Sequence, residues 1–204
     1  MKHTISITAA ALALGAIAAP LAAHADVSPV DQASPLIVVT KADPTGDAEG
    51  PNQTESDQVA LAAADVTELG VTVDRTADTV TLRLTTVGEQ SSTPANLRRI
   101  MTVEIRASRR EAAYFAGRQG QPRVVGFGTD DGGFTPCEGA TYRTSGSVAT
   151  MTLPFSCLGG LTSGRIRAGM LLEERKGGSD TAYDQSPRTR ELPLTHLDAP
   201  SGRR

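Results

Sequence analysis

The chain has 204 residues, a net charge of −3, no tryptophan, two cysteines and three histidines. Only His196 lies beyond the first 25 residues, in a segment with weak structural signals, which argues against a Ser or Cys triad, and a multi-ligand zinc site lacks the imidazoles it requires. The arginines are scattered rather than clustered, which argues against a nucleic-acid partner.

Residues 1–25 read as an export signal. Lys2 and His3 precede an apolar run from Ile5 to Ala19, Pro20 breaks it, and Ala23-His24-Ala25 offers small residues at the two positions a signal peptidase inspects. The run is shorter than the roughly 20 residues a helix needs to span a bilayer. The expectation is cleavage after Ala25, a secreted chain without a membrane span, and a flexible leader over residues 26–35.

Leu36 to Thr40 is β-branched enough for a first strand, and Asp43 to Gln58 has the Asp, Glu, Gly, Pro and Asn content of a loop. From Asp65 a period of two takes over. Val71 and Val73, then Val80, Leu82 and Leu84, then Met101, Val103 and Ile105 alternate with Thr, Asp, Arg and Glu. The polar break from Asp74 to Asp78 suits a hairpin. Ala112 to Ala116 and Arg123 to Phe127 are short candidate strands, and the sets Ala149-Met151-Leu153 and Ile166-Ala168-Met170 alternate again. No amphipathic helix is expected after the signal, beyond a single turn at Thr93 to Asn96.

Short strands parted by turn signals predict an all-β fold, an antiparallel two-sheet β-sandwich over residues 36–176, with a mostly irregular tail over 177–204. In an oxidising compartment Cys137 and Cys157 pair most simply as a disulfide. Two free thiols or half of a metal site are the competing readings, and zinc would need more Cys or His partners than the chain owns.

Several short strings carry a resemblance: Asp43-Pro44-Thr45-Gly46-Asp47, Asp65-Val66, Val80-Thr81-Leu82-Arg83-Leu84, Leu153-Pro154-Phe155-Ser156-Cys157-Leu158-Gly159 and Asp198-Ala199-Pro200. Together they resemble secreted bacterial β-sandwich proteins related to the DOMON and family-9 carbohydrate-binding-module folds. The resemblance implies two antiparallel sheets, no catalysis, and relatives that bind sugars or haem. The sequence departs from both kinds of relative, having no tryptophan to stack on a sugar and methionines placed where core fillers belong.

Four sets of residues are candidates for chemistry. The acidic stretch supplies hard oxygen ligands at Asp43, Asp47, Glu49, Asp57 and Asp65, of which Asp43, Asp47 and Asp65 are the candidate calcium ligands; the spacing matches no standard calcium loop, so a simply solvated loop is the competing reading, and no other cofactor is expected. Between Asp26 and Asp74 ten acids face Lys41 alone. Asp130-Asp131 and Glu173-Glu174 are the carboxylate pairs open to a hydrolase of extracellular polymers, although adjacent acids at a turn or strand end are ordinarily just solvated. Arg83, Arg106, Arg165 and Arg167 fall on wet strand faces and could read an anionic polysaccharide, or simply keep the sheet solvated. Asn52-Gln53-Thr54 matches a glycosylation acceptor, a pattern common by chance. The resulting expectation is a secreted, non-catalytic module for an extracellular ligand, glycan or protein.

Overall fold

Alternation of apolar and polar side chains turns most of this chain into sheet. The computed structural model describes residues 34–51, 54–89, 93, 95–109, 111–118, 126–128, 134–175 and 180–197. The expected signal and its cleavage site, all but the last residues of the leader, Asn52-Gln53, Pro94, Asp130-Asp131 and Asp198-Ala199-Pro200 lie outside the described residues.

The elements in chain order are β1 (Leu36–Ala42), α1 (Glu55–Ala64), β2 (Val66–Asp74), β3 (Thr79–Thr86), β4 (Leu97–Arg106), β5 (Ala112–Arg118), β6 (Gly126–Gly128), β7 (Phe134–Pro136), β8 (Thr141–Ser145), β9 (Val148–Pro154), β10 (Ser163–Glu174), β11 (Asp180–Gln185) and β12 (Leu192–Pro193). They form two antiparallel sheets. The first runs β1-β2-β3-β9-β8 and the second β11-β10-β4-β5-β6-β7, with β12 added to β10. The hairpin expected at Asp74 to Asp78 joins β2 to β3, and the Asp74 carboxylate accepts from the N–H groups of Thr76 and Ala77 in its turn.

The inward rows of the two sheets make one core. Val71, Val73, Leu82, Leu84, Met151 and Leu153 come from the first sheet; Met101, Val103, Ile105, Ile166, Ala168 and Met170 come from the second, and all are buried. That the sheets lie face to face is visible at Gly117 on β5. A Cβ there would sit 2.6 Å from Tyr142 Cδ2 on β8 and 2.9 Å from Met151 Cε on β9. Overpacking of this kind costs typically 1–3 kcal/mol, so Gly117→Ala should destabilise the protein by about 2 kcal/mol in denaturant melts.

Two segments differ from expectation. Glu55–Ala64, its first four residues inside the expected loop, is a helix. Thr54 caps it, its Oγ1 accepting from Asp57 N–H at 3.1 Å while the Asp57 carboxylate accepts from Thr54 N–H at 3.0 Å. The alanine-rich second half buries Ala60, Ala63 and Ala64. Its last carbonyls are satisfied from outside: Ala62 by Gly88 N–H at 2.6 Å and Ala63 by the guanidinium of Arg99, which is fully buried. A cation at a helix C-terminus is also favourable to the helix dipole. Burial pulls the Arg99 guanidinium down to about 10, against the nearby Tyr142 phenol.

The second difference is the tail. Asp180–Gln185 pairs along β10, and Leu192 and Leu194 are buried. Ser186 Oγ and Thr189 Oγ1 accept from the β10 N–H groups of Ala168 and Ile166, while their own N–H groups donate to the carbonyls of those residues at 2.8 Å, so backbone and side chain together continue the ladder past β11. His196, placed by the sequence in a weakly fixed tail, sits 2.9 Å from Asp78. Among the described residues no helix is long and apolar enough to cross a membrane.

Candidate metal centre

A sandwich has two open seams, one at each lateral edge, and the strand order says which elements meet there. On one side β1 and β2 of the first sheet lie beside β11 of the second, joined by backbone bonds between Glu49 and Tyr183. On the other side the chain crosses from β7, at the end of the second sheet, to β8, at the end of the first, through residues 137–140. The Cys137–Cys157 disulfide spans this second seam, running from the residue after β7 to the 3-10 turn that follows β9.

The first seam holds carboxylates. Asp43 follows β1, Asp47 follows the Thr45-Gly46 turn, Asp65 joins α1 to β2, and Asp184 is on β11. One carboxylate oxygen from each of Asp47, Asp65 and Asp184 lies within 4.8 Å of the others. Asp43 stands beside these three, close enough to feel all of their charges. The sequence therefore named two of the three converging acids and an adjacent one. It missed Asp184, which lies in the tail expected to be irregular.

Local structure explains the convergence. Gly46 takes φ of +84°, a left-handed conformation open to glycine, and its N–H donates to Asp65 Oδ2 at 2.7 Å. The turn is thereby folded back on the start of β2. Asp184 reaches across the seam, where its Oδ2 accepts from Val66 N–H at 2.7 Å, and its Oδ1 accepts from Gln185 N–H at 2.6 Å. Asp57, another acid of this stretch, is taken up by the helix cap, and Glu49 bridges to Tyr183 through its backbone.

Asp65 is only 6 % exposed and Asp184 only 7 %. Asp65 Oδ1 and Asp43 Oδ2 are buried and accept no hydrogen bond among the described residues. Buried carboxylate oxygens without donors are costly, and like charges beside them add to the cost. Burial, followed by Asp184, Asp47 and Asp65, pushes the Asp43 carboxyl up to about 7. Burial and Asp47 raise Asp65 against the Gly46 N–H. Burial likewise raises Asp184, with Asp47 and Asp65 adding to it and the N–H groups of Val66 and Gln185 opposing.

Such raised values fix the sign of a pH effect in metal-free protein. The folded state holds protons that the unfolded state releases, so this contribution is full below about pH 4 and is lost as pH rises through the folded values, to about 7 for Asp43. In chelator, the protein should melt at a higher temperature at pH 5.5 than at pH 8, and the order should reverse in calcium.

The geometry suits a hard cation. Calcium–oxygen bonds of about 2.3–2.6 Å place two ligands of one ion no more than about 5 Å apart, which the three carboxylates satisfy. The same spacing is shorter than the roughly 5–10 Å between the carboxyl pairs of glycoside hydrolases. Of the other candidates, Glu173 is ion-paired with Arg98 and Glu174 is exposed. The four arginines do not form one stripe, because Arg83 is on β3 in the first sheet. Arg106 and Arg165 face each other across β4 and β10, next to the Arg167–Glu104 pair. No known family, curated protein or solved structure matches the chain.

Proposed function

We propose that this chain is an exported, non-catalytic β-sandwich of the DOMON and family-9 binding-module kind, presenting a ligand-binding surface on a scaffold whose two seams are closed by different means. A disulfide closes one. A calcium ion held by Asp47, Asp65 and Asp184, with Asp43 beside them, closes the other. The observation that carries the cation is Asp65, more than nine-tenths buried, with an oxygen that accepts nothing among the described residues and two further carboxylates converging on it.

The export signal read over residues 1–25 and the disulfide support a life outside the cytosol, where millimolar calcium can fill a modest site. A cation there would pull together the β1–α1 connection, the start of β2 and β11, elements from both sheets. The test is thermal unfolding of the oxidised protein in calcium and in chelator. A higher Tm in calcium supports the reading, and superimposable melts reject it.

A further inference from the structure

Neither the disulfide nor the carboxylate seam uses the outer face of the second sheet. In the middle of that face Glu104 on β4 is only 4 % exposed, although it alternates with the core residues Val103 and Ile105 and so points away from the core. Three guanidinium groups converge on it: Arg106 from the same strand, Arg167 from β10, and Arg188 from the segment after β11, at 2.9 Å. Burial alone would raise the Glu104 carboxyl, but hydrogen bonds from Arg188, Arg106 and Arg167 outweigh it and hold the group below its usual value. Arg106 also donates to Tyr114 Oη at 2.9 Å, fixing an aromatic ring that is 41 % exposed.

One carboxylate facing three cations leaves positive charge uncompensated within this cluster, and its arginines remain 32–41 % exposed. Beside it lies a trough of about 250 Å³ lined by Thr102, Glu104, Tyr114, Ala116, Arg167 and Gln185. Strand register explains its shape. Ala116, Thr102, Gly169 and Gln185 stand side by side across four strands, and their small central members make a low row. Tyr114, Glu104 and Arg167 form the taller row next to it.

We propose that this trough binds a carboxylated saccharide, a uronic-acid residue of an acidic polysaccharide. The inference rests on the reading of the chain as an exported binding module and gives that module its ligand class, but it uses none of the four aspartates. Each part of the site matches a part of such a ligand. The exposed face of Tyr114 takes the apolar face of a pyranose ring. The planar guanidiniums of Arg167 and Arg188 take its carboxylate, sharing donors with Glu104. The Thr102 hydroxyl and the Gln185 amide both donate and accept, as sugar hydroxyls require. The volume, below the roughly 300–1,000 Å³ of sites for drug-sized molecules, suits one ring.

The experiment is calorimetric titration of the full, oxidised protein with a trimer of galacturonic acid, and with a neutral galactose trimer, in chelator because uronates bind calcium themselves. The acidic trimer should bind, more weakly as salt rises, and the neutral one should not. Arg188→Gln should weaken binding by about tenfold or more, as loss of a hydrogen bond to a charged group does, and Tyr114→Ala by about tenfold through loss of the ring's apolar contact. Arg83→Gln, on the other sheet, should leave it unchanged. Equal binding of the two trimers, no binding of either, full competition by an equal concentration of inorganic sulfate, or an unaltered affinity in Tyr114→Ala would overturn the proposal. Asp65→Asn separates the two readings. It should keep the saccharide while losing any effect of calcium, whereas loss of both in a folded variant would make the trough a dependent of the seam and refute its independence.

Discussion

Calcium at a hundred times its dissociation constant should raise the Tm of the oxidised protein by roughly 5–10 °C. Binding to the native state alone stabilises it by about 2.7 kcal/mol at that concentration. For a domain of 150–250 residues each kcal/mol is worth about 2–4 °C. Asp65→Asn should abolish this gain, because it removes a buried charge from the ligand set. The variant should nevertheless fold. An asparagine Oδ1 can still accept from Gly46 N–H, and loss of a negative charge beside Asp47 relieves repulsion that the metal-free protein suffers. In chelator, Asp65→Asn should therefore be at least as stable as the parent, while in calcium it should be clearly less stable. A catalytic or purely solvated cluster would not produce that crossing.

The opposite seam gives the second large effect. Cys137 and Cys157 are 20 residues apart, and the intervening chain contains the β8–β9 hairpin. On the chain-entropy account, opening a loop of that size costs about 3 kcal/mol. The double variant Cys137→Ser, Cys157→Ser should melt roughly 6–12 °C lower than the parent. Because β7 is a three-residue strand at the end of its sheet, the loss should be felt first there. Hydrogen exchange should accelerate at β6–β7 before it changes at β4 or β10. Uniform acceleration would mean the link supports the whole sandwich rather than one edge.

Most of the sheet was legible because its strands are half buried. A strand with one wet face alternates, and Val80-Thr81-Leu82-Arg83-Leu84 or Met101-Thr102-Val103-Glu104-Ile105 can be read directly. The helix escaped for the converse reason. Its buried face is made of Ala60, Ala63 and Ala64, so it carries no strong apolar stripe, and its start is a Thr54–Asp57 cap in a stretch that otherwise reads as loop. The capping pair was the available signal. β11 escaped because it is short and sits between glycine-rich and proline-containing segments. Of its inward-facing residues, Ala182 is small and Asp184 is charged.

That same strand explains why the metal site was only partly visible. Asp43, Asp47 and Asp65 are close in sequence and share an acidic stretch, so composition alone draws attention to them. Asp184 is brought to them by the pairing of β11 on β10 and by the packing of one sheet on the other. Contacts across a seam depend on the complete sandwich, and no local pattern encodes them. The trough on the outer face has the same origin. Arg106 and Arg167 were visible as outward arginines, but Arg188 and the buried Glu104 that gathers them were not.

The stoichiometry of calcium binding tests the cation-closed seam most directly. Calorimetric titration of calcium into metal-free, oxidised protein should give one ion per chain, with the heat lost in Asp65→Asn and in Asp184→Asn. Absence of binding, or one ion still bound with unchanged affinity in both variants, would contradict a cation-closed seam.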